Sequence, residues 1–321
     1  MLLHHSHLAR SLAPIVITLS LVGAPQAAQG TESGDRPRLY PVPIDGRWGF
    51  IDETGAIAVA PKFEEAQGFW GGELAPVQAG GRWGYIDRSG TMVITPQFDA
   101  AGLFSQGLGV IQQGDLWGFV DDQGAIALEP DYVWGYEFGE DQLAAVAIAD
   151  QVAADQATRW GFIDPQGTVI IPAKFYDARF FAEGLAPVSV APAWAGYPSW
   201  GFVDTTGQMA IAPQFDAAFS FAEGLAPVSV HGRWGFVAPD GSLPIPPRYT
   251  QAWIFGDGLA PVQNVDGLWG FIDHQGEVVI PFRYDYAYSF SEGLAYVMVE
   301  GQPAYINSAG DQVWTAPAST R

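Results

Sequence analysis

Short apolar runs alternate with polar positions along most of the chain, and the runs are bounded by a glycine, a glycine-containing pair or a proline. This is the pattern of half-buried β-strands joined by tight turns. The segment LAPVSV from Leu185 to Val190, with copies starting at Leu74, Leu225 and Leu259, reads as a first strand. Six units then turn through Asp45-Gly46, Gly80-Gly81, Gly114-Asp115, His231-Gly232, Asp266-Gly267 or Glu300-Gly301. Such pairs tolerate positive φ and suit a two-residue hairpin. A second strand of the form RWGFID follows. It leads into Asp-x-x-Gly at Asp52, Asp87, Asp121, Asp164, Asp204 and Asp273, a turn in which the aspartate accepts backbone hydrogens and the glycine takes a left-handed φ.

Two and four residues past that glycine the side chains are apolar, as in Ile57 and Val59, Met92 and Ile94, Val169 and Ile171, Val278 and Ile280. Period two predicts that both lie on one buried face of a third strand. Proline comes next, at Pro61, Pro96, Pro130, Pro172, Pro213, Pro246 and Pro281. It cannot donate to a ladder and is expected to end the strand or to blunt an edge. Each module is thus a three-stranded antiparallel meander of roughly 35 residues, tied to the next by a connector of the form xFDxAxxF.

The pair Trp-Gly marks the second strand at Trp48, Trp83, Trp117, Trp160, Trp200, Trp234 and Trp269, at successive spacings of 35, 34, 43, 40, 34, 35 and 35. Ala304-Tyr305 stands in its place in an eighth, degenerate copy. Quoted as they stand, GRWGFIDETGAIAVAPKF, GRWGYIDRSGTMVITPQF and GLWGFIDHQGEVVIPFRY resemble the bacterial WG-repeat family. The resemblance spans about Leu39 to Pro317. It implies a β-rich tandem array in a bacterial protein and little chemistry, since the family is defined by its repeat.

One meander has too little core to stand alone, so neighbours must stack with the connector aromatics between them. The fold class is therefore all-β, with about eight meanders in one domain over 39–317. Two shapes satisfy this pattern, an open superhelical solenoid and a closed propeller-like ring. The solenoid is favoured, because both ends complete a module and Gln312 at a core-face position looks like a polar cap. The start of the chain reads differently. An apolar run from Leu12 to Ala24 is too short to cross a bilayer, which takes roughly 20 residues, and suits a signal peptide over 1–28. Residues 29–38 read as a short linker and 318–321 as a tail. The expectation is an exported protein, periplasmic or extracellular, with no stable membrane insertion after signal removal.

Composition narrows the chemistry. The 321 residues carry 14 basic and 35 acidic side chains, a net charge of −21, which would repel a phosphate backbone and excludes a nucleic-acid partner. No cysteine is present, so thiol catalysis and thiolate metal sites are excluded. Past the signal only His231 and His274 remain, both in turns and read as solvent-exposed. No metal or cofactor is expected. Asp99, Asp177, Asp216 and Asp285 recur after the connector aromatic and Glu183, Glu223 and Glu292 before the next strand. Carboxylates copied in module after module read as framework rather than as a catalytic pair.

Tryptophan separates into two sets. The seven Trp-Gly indoles read as framework packing. Trp70, Trp134, Trp194, Trp253 and Trp314 fall where other units carry different residues, and off-register indoles are candidates for a surface contact. Two neighbouring units have long hairpins, 17 residues from Leu143 to Trp160 and 15 from Leu185 to Trp200 against 9 or 10 in six others. The second tip carries Trp194 and Tyr197. Insertions in repeats tend to mark a binding face. The candidate contacts are Trp194, Tyr197, Trp70, Trp134 and Trp253. The expected function is a non-catalytic binding or scaffold module for a protein or cell-envelope component. The alternatives are a carbohydrate or cell-wall binder using aromatic platforms and, behind it, a repeat-fold hydrolase with a carboxylate pair.

Overall fold

The structure, a computed structural model, describes residues 37–70, 72–149, 158–192 and 199–317. The expectations for the signal peptide, most of the linker, the tail and both long hairpin tips, Trp194 and Tyr197 included, fall outside the described residues. Among those residues the strands form eight antiparallel sheets, called blades 1 to 8 in chain order. Blade 1 has β1 (Tyr40–Ile44), β2 (Arg47–Ile51) and β3 (Ile57–Phe63); blade 2 has β4 (Glu65–Ala66), β5 (Ala75–Ala79), β6 (Arg82–Ile86) and β7 (Met92–Phe98). Blades 3 to 8 repeat the four-stranded order of blade 2. The meander is therefore the core of each unit, and the connector adds a short fourth strand that was not expected. Only Glu64 separates β3 from β4, so the chain steps directly from one blade to the edge of the next. The added strand satisfies an edge that would otherwise be bare. Its N–H groups at Gln67, Arg179, Phe219 and Trp253 donate to the carbonyls of Pro76, Pro187, Pro227 and Pro261, each at 3.0 Å.

The turns follow the sequence closely. Asp45 and Gly46 have φ of 50° and 75°, and Asp52 Oδ1 accepts from the N–H of Thr54 at 2.9 Å and Ala56 at 3.0 Å. Blade 7 departs from the two-residue hairpin. There Asn264 Oδ1 accepts from Asp266 and Leu268, so Asp266-Gly267 closes a four-residue turn.

Proline does not stop the third strand. β3 runs through Pro61 with a bulge, since Phe50 faces Val59 while Trp48 faces Phe63. The bulge brings backbone over the repeat glycine: a Cβ on Gly49 would lie 2.5 Å from the Val59 carbonyl oxygen and 2.8 Å from Pro61 N. The glycine of each Trp-Gly pair is thus needed for its own blade's third strand. Bulging also corrects the expected burial. Val59, Ile171 and Ile280 are buried, but Ile57, Val169 and Val278, two residues earlier, are about half exposed. Only the later position reaches the neighbouring blade.

That contact recurs around the molecule and shows its shape. The turn glycines Gly90, Gly124, Gly167, Gly207, Gly241, Gly276 and Gly310 each pack on the later third-strand residue of the preceding blade, from Val59 and Ile94 to Ile280, all of them buried except the half-buried Leu128 under Gly167. Gly55 of blade 1 likewise faces the last strand of blade 8, though there it is the Val313 backbone carbonyl, beside Trp314, that a Cβ on Gly55 would meet. The Tyr305 hydroxyl donates to the Pro41 carbonyl at 3.0 Å, as Tyr85 of blade 2 does to Val110 of blade 3. Tyr40, Val42 and Ile51 share one core cluster with Leu294 and Tyr305. The array is thus a closed eight-bladed β-propeller and not the favoured open solenoid. Whole modules at both ends misled the expectation, because this ring closes through side chains packed between complete sheets. Register also corrects the eighth copy: Pro303 faces Met298 as Trp269 faces Gln263, so Pro303-Ala304 takes the Trp-Gly place and Tyr305 the aromatic after it.

Blade 1 has no fourth strand among the described residues. Its free edge is blunted, since Pro41 and Pro43 stand at the positions alternating with the hairpin-closing pair Ile44 and Arg47 and have no N–H to offer a further strand.

Candidate functional site

The added strand gives each unit a column that the Trp-Gly frame does not dictate. In extended backbone, residues i and i+2 share a face. Between them lies a small buried residue, Ala66, Ala101, Gly135, Ala178, Ala218, Ala252 or Ala287. The flanking pairs, from blade 2 to blade 8, are Glu65 and Gln67, Ala100 and Gly102, Trp134 and Tyr136, Asp177 and Arg179, Ala217 and Phe219, Gln251 and Trp253, Tyr286 and Tyr288. Blades 2 and 3 present small or polar groups, whereas blades 4 to 8 present mostly rings.

These rings pack on the framework indoles and on one another. Trp134 lies 4.7 Å from Trp117, and Tyr136 stacks on Trp160 at 5.4 Å and 26°. The Tyr136 hydroxyl accepts from Arg179 at 3.3 Å. The Arg179 guanidinium sits 5.1 Å above the Trp200 ring and pairs with Asp177 at 2.9 Å. Phe219 stacks on Trp234 at 5.2 Å and touches Trp253 at 5.1 Å. Trp253 is parallel to Trp269 within 7°, at 6.2 Å. Trp269, Tyr286, Tyr288, Tyr296 and Tyr305 then continue ring to ring at 4.8 to 5.7 Å. The result is an aromatic belt over more than half the ring. Its outer members are half-buried, except Trp134, which is 38% exposed.

Burial dominates the electrostatics of this belt. It pushes the hydroxyls of Tyr136, Tyr286 and Tyr288 above their ordinary range and that of Tyr296 to about 12. Burial also raises the Asp177 carboxyl, against the opposing pull of Arg179. Beside Tyr136, Glu137 is 5% exposed with Oε1 unpartnered, and desolvation lifts its carboxyl to about 7.

Most other carboxylates are committed to backbone amides. Glu64, Asp99, Asp216 and Asp285 accept the N–H of Gly81, Gly114, Gly232 and Gly301 at hairpin tips. The two long-tipped blades carry Val133 and Tyr176 at that position. Asp141, Glu183, Glu223 and Asp257 each accept the N–H of a glycine in the next blade, Gly184, Gly224, Gly258 and Gly293. These are joints between blades. His231 is exposed at its hairpin tip. His274 is not the free turn residue expected: it stacks on Phe255 at 4.2 Å, with Nε2 3.1 Å from Glu223. Among the described residues no three His, Asp or Glu side chains gather to hold a metal ion.

Of the sequence candidates, Trp134 and Trp253 belong to the belt. Trp70 lies apart, at φ 46° in a small cavity between blades 8, 1 and 2 that Leu39, Phe69, Glu292 and Tyr305 help to line. Trp314 packs against Tyr305 at the ring closure. Tyr136, Arg179, Phe219, Tyr286 and Tyr288 were missed. Reading the connectors as an aligned column would have exposed them, because that column varies while the frame around it repeats.

Comparison with solved structures shows a similar fold in a eukaryotic initiation factor, with a TM-score of 0.55, 11% identity and coverage of 91% of this chain and 90% of that one. Hsv2 of Kluyveromyces marxianus is similar with a TM-score of 0.50 and 7% identity, over 73% of this chain and 89% of that one. At such identities the likeness concerns the fold alone. No curated protein matches the sequence. The WG containing repeat matches residues 48–83, 83–117, 117–150, 160–190, 200–234, 234–269 and 269–302. Seven matches in tandem cover most of the chain, and it belongs to the family of proteins built from this repeat.

Proposed function

We propose that this protein is a non-catalytic binding module, exported from the cytoplasm, whose aromatic belt docks a protein of the cell envelope. The observation that carries this reading is the variable connector column, which turns an otherwise repeated ring into one with a distinct aromatic sector. A purely structural column would repeat as the Trp-Gly frame does. The apolar run at the start of the sequence supports export, and among the described residues no helix is long and apolar enough to cross a membrane. The commitment of most carboxylates to amides supports a role without catalysis.

A second reading, a glycan or cell-wall binder, draws on the same rings, because flat aromatic faces also stack on sugars. The two separate by retention on peptidoglycan and polysaccharides against pull-down from an envelope extract, each repeated with Trp253→Ala. Glycan retention that the substitution abolishes would replace the protein-docking reading. Hydrolysis of any of these polymers that is lost on replacing a single carboxylate would overturn the non-catalytic one.

A further inference from the structure

We propose that the joint between blades 3 and 4 receives a basic side chain of the partner, which takes the place that the protein's own cations hold in other joints. The inference rests on the docking reading above and names where the partner attaches and with what chemistry. Four joints are latched from within. The residue before the last aromatic of the third strand is basic in blades 1, 4, 6 and 7. There Lys62, Lys174, Arg248 and Arg283 donate to the carbonyls of the next blade's turn glycines, Gly90, Gly207, Gly276 and Gly310, at 2.6 to 3.4 Å. Each cation also lies 5.0 to 5.1 Å from the centre of the ring that follows it in the chain. Arg283 donates in addition to the Tyr284 hydroxyl at 2.8 Å.

The matching residues at the joint of blades 3 and 4 are Asp131, Tyr132 and Gly167. The hydroxyl and the carbonyl that hold Arg283 in blade 7 are kept, and a carboxylate stands where the cation was. The place is open. A Cβ on Gly276 or Gly310 would lie 3.1 or 3.0 Å from the latching guanidinium, whereas one on Gly167 would meet only the Leu128 methyls within 4 Å. Tyr132 is half-buried, while Tyr249 and Tyr284 are 6% and 2% exposed. Blades 2 and 5 also lack the cation, but they carry neutral Gln97 and Gln214 before the buried Phe98 and Phe215, so neither offers a carboxylate or a hydroxyl. Burial and the neighbouring Asp131 charge raise the Tyr132 hydroxyl above its ordinary range, which sets carboxylate and hydroxyl side by side. Glu129 and Asp131 are both exposed, and a net charge of −21 draws cations toward them. A basic group there gains charge-assisted hydrogen bonds. The exposed end of the belt adjoins this place, since Trp134 lies 4.7 Å from Trp117 and Trp117 faces Tyr132 across the ladder. A partner segment that sets a basic residue beside an apolar one therefore fits both.

The test is titration of the full chain with short peptides that carry arginine, citrulline or glutamate between leucines, followed by calorimetry and tryptophan fluorescence. The arginine peptide should bind about tenfold more tightly than the citrulline peptide, its neutral counterpart of the same shape, and the glutamate peptide not at all. Asp131→Arg supplies the latch from within, so arginine binding should fall about tenfold while the melting temperature rises. The charge-matched Asp115→Arg, at the exposed hairpin tip of the same blade, should change binding by less than about twofold. Should Asp131→Arg misfold, Tyr132→Phe decides. It introduces the residue that blades 1, 2, 4 and 5 already carry at this position, and loss of the hydroxyl should weaken the arginine peptide about fivefold. An arginine peptide that fails to bind, or binds no better than citrulline, would overturn the proposal. So would binding that Tyr132→Phe leaves unchanged, or an effect of Asp115→Arg as large as that of Asp131→Arg, the mark of general charge attraction. An envelope protein captured equally by wild type and Asp131→Arg would overturn this inference while leaving the docking reading in place. No peptide bound and no envelope protein captured would sink both.

Discussion

At Glu137 a carboxyl is held in an apolar joint with one oxygen unpartnered, and the energetic consequence depends on pH. Its folded-state value of about 7 lies above the ordinary 4.5, so the folded protein holds this proton more tightly than the unfolded chain. Below about pH 4.5 the group is neutral in both states and costs nothing. As pH rises through 7 the folded state must bury a charge, and stability falls by about 3 kcal/mol. Glu137→Gln should therefore raise stability at pH 8, leave it nearly unchanged at pH 4 and flatten the profile between, as measured by urea denaturation. A second prediction concerns Gly235. A Cβ there would lie 2.5 Å from the Ile245 oxygen and 2.6 Å from Pro247 N, both backbone atoms that cannot swing away. Gly235→Ala should cost about 2–3 kcal/mol in the same assay. The bulge that requires this glycine was not legible in the sequence, because a proline in a strand pattern signals a stop or a blunted edge and not a bend.

Among the elements, the three long strands of each unit were legible because alternation, turn aspartates and hairpin glycines all agree on them. The two-residue fourth strand was not, since Glu65-Ala66 and its counterparts are too short to show a period. What defines them is the carbonyl row of the next strand, visible only once the blades are placed. The candidate site followed the same division. Trp134 and Trp253 stood out as unexpected indoles, whereas Tyr136, Phe219 and Tyr288 belong with them only through a shared column. Hairpins give the prediction proper to this scale. Asp216 Oδ2 accepts the Gly232 N–H at 3.1 Å across a turn with both residues at positive φ. Asp216→Ala should lower stability by about 0.5–1 kcal/mol. The larger effect should be local, as faster hydrogen exchange at Gly232 than at Gly301, whose partner Asp285 is intact.

For the whole molecule, closure decides what a solution measurement sees. A compact ring over 37–317 should have a radius of gyration of about 19 Å by small-angle scattering, and a clearly larger, elongated profile would contradict the closed form. Tyr305→Phe removes the hydroxyl that satisfies the buried Pro41 carbonyl and should cost about 1–3 kcal/mol, with exchange rising first in blades 1 and 8. The joint between those blades has a further consequence. Tyr305 reaches Pro41 as Tyr85 reaches Val110, and Tyr40 and Ile51 share one core cluster with Leu294 and Tyr305. Where the polypeptide starts is therefore, to the physics, close to arbitrary. A circular permutant that joins the present termini by a flexible tether and opens the chain at the Glu300-Gly301 tip keeps every interface intact, and its folded form should superimpose on the parent ring.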